Sequence, residues 1–128
     1  MTLKTADKWF GKYIRARDAD ENGYLFCISC GKPVHWKKAD AGHFIERGKK
    51  AVRYNEKNVN GQCTDCNWIK EGNKIEYAKG LVKKWDPGIV EQLEVLKHRT
   101  IPMGRFELKV IADYYRMKFN QLKKLKVL

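Results

Sequence analysis

Apolar positions mark out a helical start to the chain. Trp9, Phe10, Tyr13 and Ile14 recur at intervals of three to four, one face of an amphipathic helix predicted over about residues 5–17. The pattern then shortens. Residues 32–36 read as a brief extended piece, and residues 39–45 as a short strand that turns at Gly42 and carries His43 near its end. A polar loop over 46–57 follows, with five basic and two acidic residues, and then a second strand-like stretch over 58–62. Residues 67–72 regain helical character and stop at Gly72. Beyond it, Asn73 and Glu76 have the spacing of a capping box, which predicts a helix with Ile75, Ala78, Leu81, Val82 and Trp85 on its inner side. Asp86-Pro87 ends that helix and places a proline in the first turn of the next, which runs to about Lys97 with Val90, Leu93 and Leu96 inward. A last helix spans about 106–126, with Leu108, Ile111, Tyr115, Phe119 and Leu122 facing one way. The expected class is α+β: an N-terminal helix over 1–22, a small core over 23–72 and a helical part over 73–128, all in one domain.

Composition narrows the class. At 128 residues with 43% hydrophobic positions, the chain suffices for a modest core, which excludes wholesale disorder and a large multidomain enzyme. It contains no apolar run near the ~18–20 residues of a membrane span, and its start lacks the apolar stretch of a secretory signal. The expectation is a soluble cytoplasmic protein with no membrane partner. Charge adds a positive indication: 27 Lys and Arg face 15 Asp and Glu, a formal +12, and the sequence pI of 9.6 suits a nucleic-acid partner. The excess is spread, +5 over residues 1–72 and +7 over 73–128, so a polyanion such as a phosphate backbone fits better than a small metabolite. The plainer explanation is a basic protein kept soluble by its charge.

All four cysteines fall in two identical spacings, Cys27-Ile-Ser-Cys30 and Cys63-Thr-Asp-Cys66. Each Cys-x-x-Cys turn sets two sulfurs on one side of a tight loop, and two such turns supply the four soft ligands of a structural Zn²⁺. Two disulfides are disfavoured in a reducing compartment, and a thioredoxin-like motif needs a single pair beside a βαβ pattern that the chain lacks. Residues 31–62 make a spacer longer than that of a compact zinc ribbon, so the metal would pin both ends of an inserted unit.

That insert carries a recognisable succession. Gly42-His43, Asn58-Val59 and Cys63-x-x-Cys66-Asn67-x-x-Lys70 resemble the four-cysteine branch of the HNH, or ββα-metal, nucleases. Cys27-Ile-Ser-Cys-Gly31, Asp40-Ala-Gly-His-Phe44, Arg53-Tyr-Asn-Glu-Lys-Asn58, Gln62-Cys63, Cys66-Asn67 and Lys70-Glu-Gly-Asn73 are similar, more narrowly, to the NinG/Rap phage recombination nucleases. The likeness runs from about Tyr13 through the mid-90s; the last ~30 residues share only composition and helical pattern. It implies a zinc-stapled ββα core that cuts DNA with a divalent metal, Mg²⁺ or Mn²⁺, leaving 5′-phosphate and 3′-hydroxyl ends. It also implies branched substrates such as Holliday junctions and D-loops, and the host cytoplasm as the place of action if the chain is phage-encoded.

The residue chemistry agrees with this resemblance. Hydrolysis of a phosphodiester needs a deprotonated water, and a neutral imidazole is a suitable acceptor at cellular pH, which makes His43 the expected general base. Asn58 falls on a family position suited to holding the backbone around the His43 strand. Asn67 falls on the family's metal-ligand position, and its amide oxygen is a hard donor suited to Mg²⁺. A rigid zinc staple at Cys66 would aim it. Many HNH sites carry a metal-binding Asp or His directly before the base, where this chain has Gly42. Asp40, if the strand bends, and Glu71, four after Asn67 on one helical face, are the further ligand candidates, against the plain alternative of solvated carboxylates.

Arg47, Lys49, Lys50 and Arg53 in the basic loop, with Lys70, are the expected phosphate contacts. His35 beside Trp36 reads as a packing residue and His98 as a helix-end cation. The last helix has a basic side suited to DNA and an apolar side for the core or a second copy. The leading expectation is a metal-dependent, structure-selective DNA endonuclease, working as a homodimer if it cuts junctions symmetrically. A non-catalytic zinc module that binds DNA or protein, and a site-specific nicking HNH nuclease, are the rivals.

Overall fold

The computed structural model describes residues 2–128. Helix α1 (Leu3–Asp18) opens at Thr2, whose hydroxyl accepts the N–H of Thr5, and buries Ala6, Phe10, Tyr13, Ile14 and Ala16. Its carboxyl end is closed from far away in sequence: the Lys126 ammonium donates to the carbonyls of Ala16, Arg17 and Ala19 at 2.9, 3.2 and 2.7 Å. A cation there meets the negative end of the helix dipole.

Four short strands follow in two antiparallel pairs. β1 (Tyr24–Phe26) pairs with β2 (Pro33–His35) in the register Tyr24 to His35, and β3 (Asp40–His43) pairs with β4 (Val59–Gln62) in the register Asp40 to Gln62 and His43 to Val59. The long connection between β3 and β4 contains one helical turn, α2 (Lys50–Arg53), and β4 leads through Cys63 into a π-helical segment (Asp65–Ile69). Helices α3 (Lys74–Lys84), α4 (Ile89–Leu96) and α5 (Arg105–Leu125) complete the chain. The expected mixture of helices and small strands is present, with β1 as an addition. Among the described residues no helix is long and apolar enough to cross a membrane.

Two larger apolar clusters hold these elements, and a third, smaller one packs Ala6 of α1 against Leu108 and Ala112 of α5. The first joins α1, the strands and α5 through Phe10, Ile14, Leu25, Trp36, Val59, Tyr115 and Phe119. Phe10 and Tyr115 meet edge to face at 4.7 Å, and each fully buried apolar side chain of this kind contributes about 1.5–3 kcal/mol. Glu56 binds both layers, accepting the Tyr13 hydroxyl at 3.0 Å and the Tyr115 hydroxyl at 3.1 Å. The second core packs Ile45 and Val52 against Tyr77, Leu81, Ile89 and Leu93. Helix α5 thus turns its expected face inward, with Ala112 added, while Phe106, Val110, Tyr114 and Met117 stay exposed on its outer side.

Three local expectations are corrected. The inner residues of α3 are Tyr77 and Leu81, whereas Ile75 and Val82 face solvent. The Tyr77 hydroxyl has a partner at the Gly42 carbonyl, 2.6 Å away, which selects that face over the purely aliphatic one. Asn73 makes no capping box: its backbone is left-handed (φ 45°), and its amide donates to the Cys66 sulfur at 3.4 Å. Pro87 lies in the turn before α4, where the Asp86 carboxylate accepts the Gly88 N–H at 2.9 Å.

Candidate functional site

The two Cys-x-x-Cys turns converge. Gly31, at φ 75°, lets the first turn close with its N–H on the Cys27 carbonyl at 2.9 Å, and the Ile28 N–H ties that turn to Gly61 of β4 at 3.0 Å. The four sulfurs, all free thiols, lie within 4.8 Å of one another. Cys30 and Cys63 sulfurs are 3.8 Å apart, close to the ~3.8 Å edge of a tetrahedron with Zn–S bonds of ~2.3 Å. N–H groups of Cys66 and Asn73 point at the sulfurs of Cys63 and Cys66, each at 3.4 Å. Burial pushes the Cys63 thiol up to about 12 and the Cys66 thiol upward too. Burial also opposes ionisation of Cys27, but N–H groups of Cys30 and Cys63 outweigh it and lower that thiol. A cluster with one favoured thiolate and two suppressed ones suits a cation that would bring all four to the thiolate form. The cluster could hold a metal such as zinc.

A cleft of about 520 Å³ opens beside the π-helical segment. Its walls come from α1 (Asp7, Phe10, Gly11), from β3 and the following turn (Asp40, Ala41, His43, Glu46, Arg47), and from the segment after Cys66 (Asn67, Trp68, Glu71, Gly72, Lys74). His43, Asp40, Asn67 and Glu71, scattered over 32 positions of sequence, therefore share one depression.

His43 is held by its ring. Nε2 donates to the Arg53 carbonyl at 2.9 Å; a carbonyl only accepts, so that nitrogen carries the hydrogen and Nδ1 keeps a lone pair. Burial lowers the imidazole pKa to about 4, aided by the charges of Arg47 and Arg53, so the ring is neutral at cellular pH. Asn58, fully buried, fixes the surrounding backbone. Its oxygen accepts the Ile45 N–H at 2.8 Å, and its Nδ2 donates to the carbonyls of Ile45 and Val52 at 3.0 and 3.1 Å.

The Asn67 amide donates to an Asp40 carboxylate oxygen at 3.1 Å, a contact that leaves the Asn67 oxygen and the second Asp40 oxygen as hard donors. Glu71 reaches the same cleft by a different route from the one expected. The π-helical segment ends at Ile69 and Glu71 adopts a left-handed backbone (φ 50°), so it shares no helical face with Asn67. Gly42 has a steric reason to precede His43: a Cβ there would sit 2.0 Å from the Gln62 Oε1 oxygen, so any larger residue requires the buried Gln62 side chain to move. Among the described residues, the cysteines are the only group of three or more His, Cys, Asp or Glu close enough to share one ion. A Mg²⁺ held by Asp40 and Asn67 would keep several waters, as that ion does.

The basic residues divide. Arg47 lines the cleft with its side chain 62% exposed, and Lys49 and Lys50 are exposed beside it. Arg53 turns inward instead. Its guanidinium binds Asp7 through two bonds of 3.0 and 2.6 Å, which removes it from the expected phosphate contacts. Lys70 lies outside the cleft lining and pairs with Asp65 at 3.7 Å. His35 packs edge-on against Tyr24, as its neighbourhood suggests.

Asp7, Lys74 and Trp68 were not foreseen. Asp7 also accepts the Tyr54 hydroxyl at 2.7 Å, so α1 anchors the turn whose carbonyl holds His43. The Lys74 ammonium donates to the carbonyls of His43 and Phe44, the latter at 2.7 Å. Only the helical position of Asp7 beside the Phe10 face hinted at its place, since its partners lie 46 and 47 residues away.

Comparison with known proteins adds the family. The chain is 33% identical over 124 residues to Protein ninG of Escherichia phage lambda, an alignment that covers 94% of this chain and 57% of that protein. Protein ninG of Salmonella phage P22 is 32% identical and that of Escherichia phage 933W 31%, with 57% and 58% of those proteins covered. The chain thus spans little more than half the length of these relatives. No solved structure matches. The family model described as "NinG: Bacteriophage Lambda NinG protein" matches residues 2–126, and the chain belongs to the NinG family.

Proposed function

We propose that this protein is a metal-dependent DNA endonuclease of the HNH type. The observation that carries the reading is the cleft in which a neutral, carbonyl-anchored His43 shares walls with the Asp40–Asn67 donor pair. The reading takes the β3, β4 and π-helical succession, with a metal at the cysteines to staple it at Cys66, as the ββα core that the resemblance implies.

His43 Nδ1 takes the proton from an attacking water, and the Arg53 carbonyl stabilises the imidazolium that forms by accepting from Nε2. Asn58 and Asp7 act at a distance, through the backbone and through Arg53, to keep that ring in place. Asp40 and Asn67, with Glu71 at the rim, would hold Mg²⁺ or Mn²⁺, which supplies Lewis-acid stabilisation of the charge on the scissile phosphate and the leaving oxygen. Arg47 and Lys74 face the same space and would neutralise flanking phosphates. Zinc in the cysteine cluster would be structural, fixing the segment that presents Asn67.

The substrate class rests on the +12 charge and on the likeness to recombination nucleases: branched DNA, Holliday junctions and D-loops, cut by a homodimer so that both strands are reached. The test is cleavage of a synthetic four-way junction and a matched linear duplex in Mg²⁺ or Mn²⁺, with wild type and His43→Ala. Junction cleavage lost in a variant that keeps its zinc and its melting temperature supports the reading. DNA binding without cleavage by either protein in any divalent metal would leave a non-catalytic zinc module, and sequence-dependent cuts in linear duplex would favour a nicking enzyme.

A further inference from the structure

Tryptophan side chains are mostly covered in folded proteins, and three of the four here are buried or half-buried. Trp68 is 70% exposed, and Ile69 beside it 77%. They sit on the π-helical segment directly after Asn67, a rare geometry that is frequent at functional sites. Hydrogen bonds from Lys70 N–H to the Asp65 carbonyl (3.0 Å) and from Gly72 N–H to the Cys66 carbonyl (2.8 Å) close the segment at its end, so the exposed pair stands on a fixed base.

Trp68 also lines the cleft that holds His43, Asp40 and Asn67, together with the cationic side chains of Arg47 and Lys74. An aromatic face set among cations is the arrangement that grips a nucleic-acid strand: the cations track phosphates and the ring stacks on a base. A phosphodiester bound beside His43, Asp40 and Asn67 would bring the base of an adjoining nucleotide toward Trp68, which lines the same cleft directly after Asn67. In continuous duplex that base is covered on both faces by its neighbours. At a branch point, stacking is interrupted and a face is available, and apolar side chains that enter such steps are a known means of holding kinked DNA.

We infer that Trp68, backed by Ile69, stacks on an unstacked nucleobase at the branch point and is the residue by which this cleft distinguishes branched DNA from linear duplex. The inference rests on the proposed nuclease reading for the location of the phosphate, and it is tested by binding alone. Affinities for a four-way junction and a matched duplex are measured in Ca²⁺, without cleavage, for wild type, Trp68→Ala and Trp68→Phe, with 2-aminopurine at the branch point as a reporter of stacking. Loss of one stacked base corresponds to about a tenfold fall in affinity or more. Trp68→Ala is expected to show that fall on the junction and less than a threefold change on duplex. Trp68→Phe should stay within threefold of wild type on both. Wild type, but not Trp68→Ala, should quench the 2-aminopurine signal.

Equal affinity of wild type and Trp68→Ala for the junction, or an equal loss on junction and duplex, would overturn the inference. So would a wild type that binds both DNAs alike. The expected binding pattern in a protein that cuts nothing in Mg²⁺ or Mn²⁺ would support Trp68 as the branch reader while refuting the nuclease reading. An exposed side chain leaves folding unaffected, which equal melting temperatures and zinc contents verify.

Discussion

His43 and Asn58 are tied to consecutive peptide carbonyls of one short helix. The imidazole donates to that of Arg53 at 2.9 Å and the buried amide to that of Val52 at 3.1 Å. Asn58 also pairs with both backbone groups of Ile45, two residues past His43, so it fixes the ring's strand and the ring's acceptor together. Asn58→Ala leaves several buried polar groups unpaired and should cost about 2–4 kcal/mol of stability. Any folded fraction should lose activity in kcat more than in KM. Denaturant unfolding with steady-state cleavage on the same preparation checks both.

Asp7 offers a second lever on the same ring. Asp7→Ala strands the Arg53 guanidinium, whose side chain is only 14% exposed, beside the neutral His43 ring and with Arg47 nearby, and removes the one negative charge that offsets those two cations at the ring. A loss of about 2–4 kcal/mol is expected from breaking a largely buried pair. Replacing both residues, Asp7→Ala with Arg53→Met, should recover part of that loss; a double-mutant cycle with no coupling would show that the pair is inert.

The lowered pKa of His43 gives stability a pH dependence of known sign. The unfolded chain takes up a proton near 6.5, the folded ring only near 4, so the fold loses stability as pH falls from 6.5 to 4 and is unaffected by this ring above 6.5. The size is about 2 kcal/mol once the ring's partial exposure is allowed for. His43→Gln, which does not titrate, should show a flatter stability profile across that window, and a wild-type-minus-mutant difference that is level from pH 7 to 4 would refute the assignment.

Much of this arrangement is local enough to read from sequence. The cysteine pairs declare themselves because each turn is four residues long, and the faces of α1 and α5 because helical spacing recurs over many turns. What escaped depends on partners far away. The face of α3 escapes the sequence because Tyr77 is inward for its hydroxyl contacts with Gly42, Asn58 and Asn60, 17 to 35 residues earlier. Asn73 read as a helix cap because its sulfur partner is seven residues back across a turn. Arg53 read as a free cation because Asp7 lies 46 residues away. Strand β1 is only three residues long, with exposed ends, and leaves no alternation to detect.

Metal removal should reach beyond the cysteines. Cys66 is fully buried and precedes Asn67 directly, so stripping the ion with a thiol-selective chelator, or making Cys66→Ser, should lower stability by at least about 3 kcal/mol. Activity should fall even when Mg²⁺ is in excess. One zinc per chain by elemental analysis is expected, and full activity of zinc-free protein would show that the staple and the cleft are independent.

Asp40 and Asn67 should differ from His43 in how they respond to metal. Asp40→Asn removes the charge of the pair and should raise the Mg²⁺ concentration for half-maximal cleavage about tenfold or more, whereas His43→Ala should lower the maximal rate at every metal concentration. Metal titrations of the two variants read the difference directly.

The docking of α5 on α1 bears on when the cleft comes into existence. One wall, with Asp7 and Phe10, belongs to α1, and α1 is covered by Tyr115 and Phe119 and closed by Lys126, all made about a hundred residues later. A nascent chain on the ribosome therefore carries His43, Asp40 and Asn67 well before the α1 wall of their cleft can be packed in place. The wall that α1 gives the cleft is in place only once α5 has been made and has docked on it.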